Sequence, residues 1–301
     1  MKTANYTFKT YDPAFLEQQI ALVKQATADW EGFGYPTKEQ LLQTYSGDNF
    51  TPHTRYYAFL DDELVGFLSS ALDPQNPKRG NLQFPFVRPG HEKLRAKLME
   101  EAFQTFRNEG REEITTNLQT SWTGADTILE GFGFEKQEII NAQLLFRIED
   151  IHSSELPLDI DFAEVNPEND RQELIRVFST EMTQTPDQIG GIIDQWPDNE
   201  NIIMNHVSWE EGQIITHSMV FGNNNDQELA QMTHISVYDE KYQGRRAQQL
   251  HFMVQQLAEM GYQSVQVFAI PDAELESYHI PQAQIRKNIR YKKHLAPEQI
   301  A

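Results

Sequence analysis

Val237-Tyr238-Asp239-Glu240-Lys241-Tyr242-Gln243-Gly244-Arg245-Arg246-Ala247-Gln248-Gln249-Leu250 runs from the end of an alternating strand through a polar loop into a helix. The strand begins near Glu228, and the helix carries Ala247, Leu250, Val254, Leu257 and Ala258 at a spacing near 3.6 before stopping at Gly261. A second strand, Ser264 to Ile270, follows. Strand, loop, helix and strand in that order form a right-handed crossover, which requires the two strands to be parallel. A loop feeding a helix start aims several main-chain N–H groups and the positive end of the helix dipole at one place, a natural seat for an anion. Gly244 permits close approach there, Arg245 and Arg246 add cationic donors, and no carboxylate occurs between Lys241 and Ala258.

Outward from this stretch the pattern recurs. A shift of about 150 residues aligns the two halves by pattern rather than by identity. Alternating strands at Tyr6 and Phe8, and at Ile160 and Phe162, lead into amphipathic helices over Phe15 to Trp30 and Leu174 to Met182, each followed by a second helical stretch. Two strands then flank an acidic turn, Asp61-Asp62-Glu63 in one half and Glu210-Glu211-Gly212 in the other. The next strands, Asn81 to Val87 and Glu228 to Val237, end on valines one repeat apart. In the first half a helix bearing Leu94, Leu98, Ala102 and Phe106 stops at Gly110 and returns to a strand over Glu113 to Leu118. Glu149 to Pro157 is polar and ends in proline, so the chain is expected to divide near residue 155 into 1–154 and 155–301, each a mixed α/β sheet flanked by helices.

Bulk composition narrows the function. At 301 residues the chain accommodates two domains that each bury a core. With 45 acidic against 25 basic residues the formal charge is −20, which repels phosphate backbones and anionic headgroups, so neither nucleic acid nor a membrane is an expected partner. There is no cysteine, which excludes disulfides, thiolate metal sites and a thiol nucleophile. Met1 to Pro13 shows no signal-peptide pattern and no apolar run reaches the length of a membrane span, so a soluble cytoplasmic protein is expected. No HExxH, EF-hand loop or G-x-S-x-G elbow is present, and Asn223-Asn224-Asn225-Asp226 reads as a hairpin turn, so no metal site is expected.

The order of elements, with the Val237 to Leu250 stretch and with Ile128-Leu129-Glu130-Gly131-Phe132-Gly133-Phe134-Glu135-Lys136, resembles the GNAT superfamily of N-acetyltransferases in a tandem, two-domain form. The family's loop reads Q/R-x-x-G-x-G/A. Gln243 fills its first position, whereas Arg246 and Gln248 stand where small residues belong. The resemblance implies acetyl-CoA as co-substrate in the second half, held by Ile235, Ser236, Val237, Gln243, Gly244, Arg245, Arg246, Ala247 and Gln248. It also implies that a main-chain N–H around Ile235 to Val237 polarises the acyl carbonyl while the pantetheine arm pairs like an added strand. The first-half loop, Arg88 to Arg95, places Glu92 where phosphate would sit and is expected to have lost the cofactor.

For the chemistry, the family's Tyr-x-Lys-x-Gly-Phe segment is approximated by Tyr291-Lys292-Lys293-His294-Leu295-Ala296, so the resemblance offers Tyr291 as the acid that protonates the departing thiolate. Glu228, His234 and His217 are alternative strand residues able to take a proton from an amine, each set against a purely structural role. The expected reaction is direct acetyl transfer from acetyl-CoA to an amine of an unidentified small or peptide acceptor. Two alternatives stay open. One is a catalytically inactive tandem relative that binds acyl-CoA or a protein. The other is aminoacyl transfer from charged tRNA, which the acidic charge disfavours. Association as a homodimer is also left open.

Overall fold

The computed structural model describes residues 5–47, 50–151, 160–223 and 226–295. The expected boundary near residue 155, the middle of the 223–226 turn and Ala296 lie outside them. Two compact units emerge: residues 1–139 with 287–301, and residues 140–286.

In the first unit the chain runs β1 (Tyr6–Lys9), α1 (Leu16–Ala26), α2 (Lys38–Tyr45), β2 (Arg55–Leu60), β3 (Glu63–Leu72), β4 (Arg79–Leu82), β5 (Phe86–Val87), α3 (Leu94–Asn108), β6 (Glu113–Gln119) and α4 (Ala125–Gly131). Strand β7 (Glu135–Arg147) passes from the first unit into the second at residue 140. The second unit continues with β8 (Phe162–Glu164), α5 (Arg171–Glu181), α6 (Pro186–Ile193), β9 (Ile202–Glu210), β10 (Gln213–Gly222), β11 (Leu229–Thr233), β12 (Ser236–Val237), α7 (Arg245–Glu259) and β13 (Ser264–Ile270). The last strand, β14 (Gln284–His294), belongs to the first unit from residue 287 onward.

The two sheets share one plan. The first is ordered β1-β2-β3-β4-β6-β14, with β5 paired to β3; the second is ordered β8-β9-β10-β11-β13-β7, with β12 paired to β10. As the crossover requires, β4 lies parallel to β6 and β11 parallel to β13. The same local devices recur in both. Asp61 and Glu211 take left-handed φ values of 54° and 51° in the acidic turns, the latter followed by Gly212. Thr37 with Gln40 and Thr185 with Gln188 form capping boxes that start α2 and α6. Gly110 and Gly261 end α3 and α7 at positive φ.

The compact units therefore differ from the linear division at 154/155, and the cause is packing. Ile289, Tyr291 and Leu295 are buried in the core of the first unit, with Leu98, Phe106 and Ile114. Ala142, Leu144 and Phe146 of β7 are buried in the second, with Met232, Leu250 and Val265. Each sheet is closed by a strand that the linear repeat would assign to the other half.

Candidate functional site

The strand leading to the Gln243–Gln248 loop is broken. Between β11 and β12, His234 and Ile235 leave the ladder while Val237 pairs with Thr216 and Ser236 with His217. A strand break of this kind frees main-chain groups that a bound arm could use. Here they are already used: the Ile235 N–H donates to the Tyr278 hydroxyl at 2.8 Å, and the Ile235 carbonyl accepts from Nε of Arg246 at 3.0 Å. Arg246 is 1% exposed, and its remaining nitrogens donate to Ser277 and to the carboxylate of Glu274. The guanidinium also lies 5.7 Å from the centre of the Tyr278 ring. Tyr278 sits on the short helical turn after β13, Asp272–Tyr278, which brings Glu274 and Ser277 to the same place.

His234 completes this network. Its Nδ1 lies 2.8 Å from the Tyr278 hydroxyl and its Nε2 3.2 Å from Glu274. The pattern is satisfied when Nε2 carries the proton toward Glu274 and Nδ1 accepts from the tyrosine, whose oxygen in turn accepts from Ile235. Burial first, and then the Arg246 charge, depress the His234 imidazole to about 4. His217 is buried outright, bonds Asn205 at 2.9 Å and stacks on Trp196, and burial depresses it to about 3.

The sequence-derived residues divide as follows. Ile235, Ser236, Val237, Arg246 and His234 converge on the strand break, and Ser236 donates to Glu181 at 2.9 Å. Gln243 and Gly244 are exposed at the helix start, with φ of −52° and −64°, so Gly244 does not need glycine's positive-φ freedom. Arg245 pairs with Glu210 and covers the Tyr242 ring, Ala247 is buried, and Gln248 lies on the first turns of α7. Glu228 is exposed just before β11, at the opposite end of that strand from the break, about 20 Å away at the usual rise per residue. Tyr291 belongs to the first unit, where it pairs with Thr116 of β6 and is 3% exposed in the core. Burial is the main reason its hydroxyl is raised above the ordinary tyrosine value. The residues that sequence reasoning missed, Tyr278, Glu274 and Ser277, follow a strand with no pattern that marks them.

The first unit has the equivalent break between β4 and β5, with Val87 paired to Gly66 and Phe86 to Phe67. Pro85 occupies the place of Ile235 and has no N–H to offer. In the loop that follows, the Gly90 N–H donates to the Glu92 carboxylate at 2.8 Å. The N–H of Glu92 itself, and after it that bond, holds the carboxyl below the usual range. On β4 and β6 of this unit lies a cavity of about 620 Å³ whose wall includes Tyr35, Tyr45, Arg55, Asn81, Thr115 and Trp122.

No family model matches the sequence, and no curated protein matches it. Solved structures do. A tandem GNAT protein from the clavulanic acid biosynthesis pathway superposes with a TM-score of 0.68 at 12% identity, over 98% of this chain and all of that one (100%). A GCN5-related N-acetyltransferase from Sphaerobacter thermophilus gives 0.66 at 12% identity, over 96% and 95% of the two chains. A glucosamine N-acetyltransferase region of a fungal multi-domain GH3 β-N-acetylglucosaminidase gives 0.66 at 14% identity, over 97% of this chain, which spans 38% of that protein. The fold is a tandem GNAT fold. Of the strand groups around Ile235 to Val237 expected to meet an acyl-pantetheine, those of Ile235 are bonded within the protein. At the strand break one GNAT unit carries proline, and the other has spent its N–H on Tyr278 and its carbonyl on Arg246. Among the described residues no cluster of His, Asp and Glu is arranged to hold a metal, and no helix is long and apolar enough to cross a membrane.

Proposed function

We propose that this tandem GNAT-fold protein binds a small molecule in its first unit and does not use the second-unit loop for acyl transfer. One observation carries the reading. At the first of the strand positions, Ile235 to Val237, where a main-chain N–H is expected to polarise an acyl carbonyl, the first unit has Pro85 and the second has Ile235 bonded to Tyr278. An oxyanion site works through preorganised donors aimed at the developing charge, and a donor that is absent or committed elsewhere supplies none of that stabilisation. Glu92 on the Gly90 amide and Arg246 in the strand break add an internal anion and an internal cation where the cofactor's diphosphate and arm would lie. The cavity of the first unit has the size of a small-molecule site and mixes apolar walls with convergent polar groups.

The rival reading is an N-acetyltransferase that moves acetyl from acetyl-CoA to an amine. The fold favours it, and it requires Arg246 and Tyr278 to vacate Ile235. Titration calorimetry with acetyl-CoA separates the two. The wild-type chain is expected to give no heat of binding, and the double variant R246G/Y278F is expected to gain measurable affinity because it frees both Ile235 groups. Acetyl-CoA binding by the wild type, followed by acetylation of any member of an amine panel, overturns the proposal.

A further inference from the structure

The chemistry of the first-unit cavity points to the kind of molecule it takes. Its only lining carboxylate among the described residues, Asp73, is 8% exposed and committed: it pairs with Arg79 through Nε at 2.7 Å and accepts from the amides of Gln75 and Asn76. Arg290, also on the wall, is paired with Glu138. Arg55 is different. Its Nη1 donates to the Thr54 carbonyl, the Thr54 hydroxyl and the Ser70 carbonyl at 3.2, 2.7 and 2.6 Å, all neutral acceptors. Its planar group lies 4.9 Å from the Tyr45 ring centre and 5.1 Å from that of Phe50. Among the described residues no carboxylate is within ion-pair reach of it, no acceptor engages its Nη2, and its buried Nε also has none.

A guanidinium fixed by three bonds and two aromatic faces has lost its conformational freedom in advance, so a charge-assisted bond to a ligand orders nothing further. In a chain of formal charge −20, a cavity where, among the described residues, the one lining carboxylate is neutralised and Arg55 has no counter-ion is a local exception that selects an anion. Farther along the wall the Thr115 hydroxyl meets the Asn81 amide at 2.8 Å and the Ser69 hydroxyl meets the Gln83 amide at 2.7 Å. These neutral groups suit an amide or hydroxyl, not a second charge. Tyr35 and Trp122, the latter with a buried ring N–H that has no acceptor, supply flat apolar walls with one open donor.

We propose that the cavity binds a small organic carboxylate with an aromatic body, its carboxylate on Arg55 Nη2 and its ring among Tyr35, Tyr45 and Trp122. This rests on the reading of the first unit as the binding unit. The probes are N-acetylphenylalanine and its neutral carboxamide, with indole-3-acetate and indole-3-acetamide as a second matched pair, titrated into the full chain by calorimetry and by tryptophan fluorescence. Both acids are expected to bind, and each amide is expected to bind at least about tenfold more weakly, as loss of a charge-assisted bond implies. The R55M variant is expected to lose the acids and leave the amides unchanged. T44E, at an exposed lining position on α2, keeps the Arg55 contacts intact and is expected to weaken the acids alone through its added negative charge. Equal affinity for acid and amide, or acids unaffected by both variants, overturns the carboxylate assignment while leaving a small-molecule site in place. Absence of binding by all four probes overturns the assignment as well, and acetyl-CoA binding by the wild type separately overturns the reading beneath it.

Discussion

Pro85 and Ile235 stand at the same place in their two sheets, each two residues before a valine that pairs with the neighbouring hairpin strand: Val87 with Gly66, Val237 with Thr216. One residue cannot donate a main-chain hydrogen bond, and the other donates to Tyr278. Two different solutions thus leave the same position without a free N–H. A buried amide must find an acceptor or bear the full desolvation penalty. A strand break therefore favours side chains that answer its freed groups, and Arg246 with Tyr278 answers the Ile235 carbonyl and amide together.

Tyr278→Phe tests that account through stability. The substitution keeps the ring but removes the acceptor of the buried Ile235 N–H and the partner of His234 Nδ1. Leaving a buried donor unpaired costs about 1–3 kcal/mol. Urea denaturation should show a loss in that range with an unchanged m-value, and amide exchange at Ile235 should accelerate. Unchanged exchange at that one amide would show that the tyrosine is not its acceptor.

The depressed histidines set a pH dependence. His234 at about 4 and His217 at about 3 stay neutral in the folded chain well below the ordinary value of 6.5 at which they charge when unfolded. In that interval the unfolded state binds more protons, so the stability held above pH 6.5 is lost as pH falls toward the folded values. The slope is about 1.4 kcal/mol per pH unit for each histidine. The groups facing His234 are Glu274, Arg246 and Tyr278, and its neutral form is the one their bonds require. Unfolding free energies measured from pH 7.5 to 4.5 should therefore fall, and His234→Gln should flatten the curve by about one histidine's share.

How much of this was readable beforehand depended on whether local pattern or side-chain direction decided the matter. The hairpins, the parallel pairs and both helix stops lie where periodicity and turn residues put them, because each is fixed within about fifteen residues of chain. Pro85 was visible one repeat from Ile235, yet its meaning depended on the register of β5 against β3, which no spacing reveals. The two arginines look alike in sequence, but Arg245 turns out to Glu210 and Arg246 turns inward to Ile235. The cavity draws residues from α2, β2, β4 and β6, segments whose adjacency is a property of the sheet alone. β14, polar at Arg286, Lys287, Arg290, Lys292 and Lys293, carries no signal of which sheet it completes.

Gly80→Ala is expected to be destabilising although it changes one methyl group. Gly80 lies on β4, between Leu72 on β3 and Ile114 on β6, and a Cβ there would stand 2.2 Å from the Phe106 ring of α3. The ring is fully buried, so helix and sheet must separate or the ring must leave its rotamer, and overpacking of this kind costs about 1–3 kcal/mol. The companion change Phe106→Leu should recover part of the loss in the double variant. Additive losses would mean that the two positions do not meet.

The exchanged strands predict which fragments fold. A fragment of residues 1–154 keeps β7 but lacks β14, so β6 has no partner on that side and the first core loses Ile289, Tyr291 and Leu295. An unpaired strand edge beside an opened core favours association over folding. This fragment is expected to show no cooperative urea transition and to aggregate. A single chain made of residues 1–139 joined by a flexible linker to residues 284–295 restores every β6–β14 pair and should unfold cooperatively, with near-ultraviolet circular dichroism showing packed aromatic rings. A well-folded 1–154 fragment would mean that β7 can serve the first sheet as β14 does, and that the exchange is not required for either unit to stand.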